Sequence, residues 1–429
     1  MAGFKKTAAL LTAAIIACSA AGCSDTSYTI KADNEEIRAG IYIDYMLNEM
    51  SYQITMLYYN GGVTEDYFSQ EIEGKPFSEY ISEQALKNTK EYVAITKKFE
   101  EFGLELTSDE LKEINSNVND SWDNQGDLYE KEGISKESLK EVYLCTKKRE
   151  KLFNYFYGEG GKEEVSADQI QTYVNENYLR YKTISISKST SEDEETKKTE
   201  NEKNLALRDE YLEKAEGLSF EEFDQVIDEY NKYKEEQSSS QNGSSSTESS
   251  DSSESSAADS SAADSSDSSD DTSSVSDTSS AESADSSDIS SESAAESGNS
   301  SETDSSSEEK DPYPNETMVN YGSYEDEDLE SNYGKLLTEV NGLEVGKAAA
   351  YENDSAYYII IKGDVSERTD YTEEKKDTIL QEMKGDEFQT KLDGWVEAIS
   401  FTKNEKAIKR YTPETVYEKQ NEYYKELNG

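Results

Sequence analysis

The chain has 429 residues, and its 94 Asp and Glu against 43 Lys and Arg give a formal net charge of -51. Its cations are interleaved with acids rather than clustered, so it offers no surface for a phosphate backbone and nucleic acid is excluded as a partner. Histidine is absent, which excludes Ser-His-Asp and Cys-His catalysis and the usual nitrogen and sulfur zinc sites; no phosphate-binding glycine loop appears either, so no metal or cofactor is expected.

At the start of the chain Lys5 and Lys6 precede a mostly apolar run from Ala8 to Ala21. At about 14 residues it is too short to span a bilayer comfortably and suits the core of a signal peptide. It closes on Ala20-Ala21-Gly22-Cys23, which resembles the lipobox of bacterial lipoproteins. The resemblance implies that residues 1–22 are a removable signal and that Cys23 is lipid-modified, anchoring the protein on the extracytoplasmic face of the cell membrane. A plain secretory signal is the other reading. With Cys18 removed and Cys23 lipidated, Cys145 remains, on one helical stripe with Val142, Leu152 and Phe156. A buried apolar thiol is expected there, not a nucleophile.

Residues 23–165 read as a helical lobe. Tyr28 to Lys31 alternates briefly, as a strand does, and Ile43, Met46, Leu47, Met50, Ile54 and Leu57 then recur at helical spacing until Gly61 and Gly62. A second helix carries Ile81, Ala85, Tyr92, Ile95, Phe99 and Phe102 and stops at Gly103. Thr107 with Glu110 makes a capping box for a third, with Leu111, Ile114 and Val118 inward. Ser135 opens a fourth, with Leu139, Val142, Leu152 and Phe156 inward.

Residues 166–236 change character. Ser166 and Gln169 form another capping box, Ile170, Tyr173, Val174 and Tyr178 follow at helical spacing, and from Tyr181 the period becomes two. Ile184 and Ile186 then share one face of a strand, opposite Thr183, Ser185 and Ser187. A helix over Leu205 to Ala215 closes at Gly217, and Ser219 with Glu222 caps the next, whose buried stripe is Phe223, Val226, Ile227 and Tyr230. Residues 237–310 are almost entirely Ser, Asp, Glu and Ala and cannot offset the entropy of ordering, so a disordered acidic insertion is expected. Residues 311–366 resume the module, with Tyr357 to Lys362 as a central strand that partners the first. Residues 367–429 are helical again, with Ile379, Met383, Phe388, Leu392, Trp395 and Ile399. In the last helix Thr412 is the cap, Pro413 the first residue, and Val416, Tyr424 and Leu427 face inward.

The order of parts resembles extracytoplasmic foldases of the PrsA and SurA class, through Gly103-Leu104-Glu105-Leu106-Thr107 with Glu110 and Gly133-Ile134-Ser135 with Leu139. Arg180 to Ser187 looks like the first strand of a parvulin-type peptidyl-prolyl isomerase domain. Gly217-Leu218-Ser219-Phe220-Glu221-Glu222-Phe223 resembles that family's turn into its second helix, while Leu343 to Lys347 and Ala356 to Ile361 resemble its closing segment. The resemblance implies an α+β chain in which N- and C-terminal helices form one chaperone lobe beside a small sheet-and-helix module. It also implies a membrane-anchored foldase that assists secreted proteins, with unfolded or newly secreted polypeptides as partners. The family's two strand histidines fall on Thr183 and Tyr358, so the module is expected to be weak or inactive. Ile184, Ile186, Phe223, Tyr358 and Ile360 are the candidate peptide-binding residues. An active isomerase using the Thr183 and Tyr358 hydroxyls and a surface-binding lipoprotein are the alternatives. The 31 tyrosines suit either a loose client cradle or helix edges where tyrosine replaces Phe and Leu.

Overall fold

The computed structural model describes residues 27–63, 65–242 and 312–428. The signal segment, Cys23 and most of the acidic tract lie outside them. The chain opens with β1 (Tyr28–Ala32), β2 (Glu35–Arg38), α1 (Ala39–Gly61), the short β3 (Glu71–Ile72) and β4 (Lys75–Pro76), α2 (Phe77–Glu101), α3 (Ser108–Glu132), α4 (Lys136–Tyr157) and α5 (Ala167–Asn177). Then come β5 (Tyr178–Ser187), α6 (Glu194–Ala215), α7 (Phe223–Asn242), β6 (Thr317–Asn320), α8 (Asn332–Gly342), β7 (Ala348–Glu352) and β8 (Ala356–Lys362). The described chain ends with α9 (Thr369–Glu374), α10 (Lys376–Glu397), β9 (Phe401–Lys403), α11 (Glu405–Ile408) and α12 (Pro413–Asn428). This is an α+β protein with small antiparallel sheets, divided into two compact units. One unit takes the residues up to Tyr178, Asn320–Ser323 and those from Asp364 onward; the other takes Leu179–Val319 and Tyr324–Gly363.

The first unit is helical because its sequence supplies both stripes and stops. Thr107 accepts from the Glu110 backbone at 3.2 Å while Glu110 accepts from the Thr107 backbone at 2.7 Å, satisfying two donors that a helix start otherwise leaves orphaned. At the other end of α3, Gly133 turns left-handed (φ 95°) and the Ile134 N–H returns to the Tyr129 carbonyl at 2.8 Å. Only glycine adopts that φ without strain, and the fully buried Ile134 completes the cap. The core joins Tyr42, Met46 and Met50 of α1, Phe77 and Ile81 of α2, Ile114 and Val118 of α3, and Val416 of α12. The chain's two ends meet here: β9 pairs antiparallel with β1, and α10 and α12 pack on α2 and α3.

Several inward assignments fail at helix ends. Leu111, Tyr424 and Leu427 are exposed, because the first turn of α3 and the last turns of α12 run past the elements that would cover them. In α4 the fully covered aromatics are Phe153 and Tyr157, while Phe156 is half-buried. Cys145 is buried and free, and burial pushes its thiol up to about 11, the chemistry of an inert core cysteine. The short helix α5 groups with this unit, packed on α9 and α10, rather than with the module to which its place in the sequence assigns it.

The second unit is a four-stranded sheet in the order β6-β5-β8-β7. β8 is central and antiparallel to both β5 and β7, with Ile184 opposite Ile359 and Thr183 opposite Ile360. Ile184, Ile186, Tyr357, Ile359 and Ile361 form one face, closed by Tyr211 and Ala215 of α6 and by Phe223, Val226, Ile227 and Tyr230 of α7. β5 begins at Tyr178, three residues before its alternation becomes visible in the sequence, and α7 runs on to Asn242, so residues 237–242, expected to open the disordered insertion, are helical.

Charged side chains tie this unit across the tract. Phe220 lies under two cations, the Arg180 guanidinium 4.4 Å and the Lys182 ammonium 4.5 Å from its ring centre. Arg180 donates to Glu316 at 2.9 Å with both side chains almost wholly buried, and Lys182 reaches Asp224 at 2.8 Å and the Phe220 carbonyl at 3.0 Å. Asn315 donates to the other Asp224 oxygen at 3.2 Å. Gly363 passes beside this stack, where a Cβ would sit 2.8 Å from the Phe220 ring, so only glycine lets the chain through.

Candidate functional site

The face of the sheet opposite α6 and α7 carries the hydroxyl groups that the sequence brings to notice. Because side chains alternate along a strand, Thr183 and Ser185 of β5, Tyr358 and Ile360 of β8, and Ala349 and Tyr351 of β7 all share it. The register aligns them in two cross-strand rows, Ser185–Tyr358–Tyr351 and Thr183–Ile360–Ala349. Ser185 is exposed, and Thr183, Tyr351 and Tyr358 are half-buried. Thr183 and Tyr358 are diagonal neighbours, within reach of one small ligand.

Tyr358 is held from two sides. Its ring lies 5.9 Å from that of Tyr351, and the Asn353 amide reaches its hydroxyl at 3.5 Å. Asn353 is itself buried and fixed: its side-chain oxygen accepts from the Ser355 and Ala356 backbone at 3.0 and 2.9 Å, closing the turn between β7 and β8. Burial, then the nearby Glu339, Tyr358 and Asp354, pushes the Tyr351 phenol up, so it stays protonated further into alkaline solution. At the next strand position Tyr181 shares a hydrogen bond of 3.3 Å with Tyr333 of α8, whose ring packs on Tyr324. The arrangement presents neutral donors and acceptors on one face of the sheet. It can hydrogen-bond and orient a peptide, while its chemistry contains no general base of the imidazole kind.

The candidate peptide-binding residues divide between the two faces. Ile184, Ile186 and Phe223 lie in the helix-covered core, exposed by 4 % at most, so they cannot receive a peptide; their alternation serves packing. Ile360 is on the hydroxyl face but fully covered. Tyr358 and Thr183 are brought together, and Cys23 lies outside the described residues. Two groups escape a reading of the sequence: Tyr351 on this face and Asn353 in the turn beside it. The surplus of tyrosine is the one signal that pointed toward Tyr351.

In the helical unit Tyr42 is fully buried, while Tyr52, Tyr58 and Tyr59 of the same helix are 51 %, 54 % and 77 % exposed. A depression of about 310 Å³ lies elsewhere on this unit, among Leu86, Lys87, Lys90, Glu91, Val396 and Lys403; alternating charges line it. Among the described residues no group of three His, Cys, Asp or Glu is placed to hold a metal ion, and no helix is long and apolar enough to cross a membrane. Comparison with protein-family models, with curated proteins and with solved structures gave no match to this chain in any of the three.

Proposed function

We propose that this chain is a membrane-anchored extracytoplasmic foldase whose helical unit holds unfolded segments of secreted proteins and whose sheet module is a degenerate parvulin-type domain. The observation that carries the reading is the pairing of β5 with β8. These strands, far apart in sequence, are hydrogen-bonded neighbours and turn Thr183 and Tyr358, the positions matched to the family's histidines, to one partly open face. Rotation about an X-Pro bond needs no covalent chemistry, only a site that holds the twisted peptide better than the planar one against a barrier of about 18–20 kcal/mol. Two hydroxyls replace the imidazoles here, so little of that preference survives and holding is the main activity. The lipobox-like Cys23 supplies the anchor, and the exposed tyrosines of α1 supply amphipathic contact area for clients.

A working isomerase is the second reading, favoured by the ordered Ser185–Tyr358–Tyr351 row. Refolding of a model protein limited by proline isomerisation separates the two. A higher final yield at an unchanged slow rate is expected; acceleration of the slow phase, which ordinarily lasts tens to hundreds of seconds, would establish the isomerase instead. Neither effect would overturn both and leave a surface-binding lipoprotein.

A further inference from the structure

The last turn of α3 contains a carboxylate for which the proposed function has no use. Glu132 is fully buried, and among the described residues neither of its oxygens has a hydrogen-bond partner. Its nearest cation, the Lys419 ammonium of α12, stands 3.6 Å away. A buried, ionised carboxylate without hydrogen bonds costs several kcal/mol, and a single ammonium beyond hydrogen-bonding distance repays only part of that. The other ties of α12 do not depend on Glu132. Val416 enters the core, and the Tyr417 ring stands edge-on to Tyr67 and Phe68 at 6.2 and 5.3 Å. Lys131 reaches Glu426 at 3.0 Å in an exposed pair, and Ser78 of α2 donates to Glu414.

We propose that α12 is a strap whose seating on α1 and α3 is set by the protonation of Glu132: seated while the carboxyl is neutral, loosened when it ionises. The inference stands whether or not the helical unit is a chaperone. The groups facing Glu132 are Lys419 from α12 and Lys131 from its own helix. One turn earlier, Tyr129 faces Asp44 of α1, Tyr143 of α4 and Tyr424 of α12. Burial lifts Glu132 from the ordinary 4.5 to about 7 against the pull of both lysines. A folded-state value raised in this way gives stability that is complete below the unfolded value and is lost as pH rises through the folded one, so α12 is held tightest near pH 5 and loosens through neutrality. Asp44 is a rival for the same effect: it is buried, accepts from Asn48 at 3.2 Å, and is raised to about 7 by burial.

Hydrogen exchange of residues 413–428 in the full chain, corrected for intrinsic exchange, tests the proposal between pH 5 and pH 8. The opening constant of α12 is expected to rise at least about tenfold, with a parallel rise in the fluorescence of 8-anilinonaphthalene-sulfonate as the apolar seat around Tyr67 and Phe68 is uncovered. Glu132→Gln keeps the shape and removes the charge, and it should flatten both responses; Asp44→Asn should leave them. Lys419→Met, which removes the facing ammonium, should move the transition to higher pH. An α12 whose opening is the same at both pH values would overturn the proposal. So would a Glu132→Gln chain that responds like the parent, or a response abolished by Asp44→Asn alone.

Discussion

The two units bury charge in opposite ways. In the sheet module every nearly buried cation of β5 has a carboxylate and a second contact: Arg180 with Glu316 and the Phe220 ring, Lys182 with Asp224, the Phe220 carbonyl and the same ring. In the helical unit Glu132 has an ammonium at 3.6 Å, beyond hydrogen-bonding distance, and Asp44, among the described residues, a single amide. A satisfied pair fixes geometry, since each partner holds the other in place, whereas an unsatisfied acid adjusts its protonation instead. The module is thus built to keep one register and the helical seam to respond to its surroundings.

Breaking the satisfied pair should have the largest effect. Arg180→Ala leaves Glu316 buried without its cation, and a loss of about 3–5 kcal/mol is expected, measured by denaturant unfolding and by faster hydrogen exchange in β5 and β8. Changing the unsatisfied acids should do the reverse. Glu132→Gln is expected to stabilise the helical unit by on the order of 3 kcal/mol at pH 8 and by less than about 1 kcal/mol at pH 5, so unfolding curves at the two pH values should converge in the variant. Thr107→Ala touches neither kind of buried charge and calibrates the scale: loss of one cap should cost about 1 kcal/mol at either pH. The smallest effect is expected for Thr183→Val with Tyr358→Phe. Both side chains are half-buried on the hydroxyl face, so the change in stability should be about 0.5 kcal/mol or less. Refolding yield should be untouched, and a loss of yield would show that the hydroxyl row itself contacts clients.

How far the sequence revealed this comparison depends on the kind of signal. Capping boxes are local and proved legible: Thr107 with Glu110, Ser166 with Gln169 and Ser219 with Glu222 form the bonds their spacing implies. The isoleucine runs of β5 and β8 were likewise enough to pair them across the tract. Elements without an apolar rhythm were not visible. β7 is three alanines, a tyrosine and a glutamate, and the first half of α6 is almost wholly polar, held by the Asp193 cap rather than by burial. Leu111, Tyr424 and Leu427 satisfy a helical stripe and are exposed, because periodicity cannot say where a neighbouring helix ends. The buried acids were missed for the converse reason. Glu132 sits four residues after the buried Leu128, on the inward stripe of α3, yet in a chain with 94 acidic residues one more glutamate draws no notice.

The ion pair between Arg180 and Glu316 has a further consequence, because its two residues lie on opposite sides of the acidic tract. β5 and α7 come before that tract, while Glu316, β6 and β8 come after it, and the strand pairing and charged stack that join them are noncovalent. A protease that cut the backbone between residues 243 and 311 would therefore leave two peptides still joined by these contacts. Unfolding of the module would then become a dissociation, and its midpoint would rise with protein concentration.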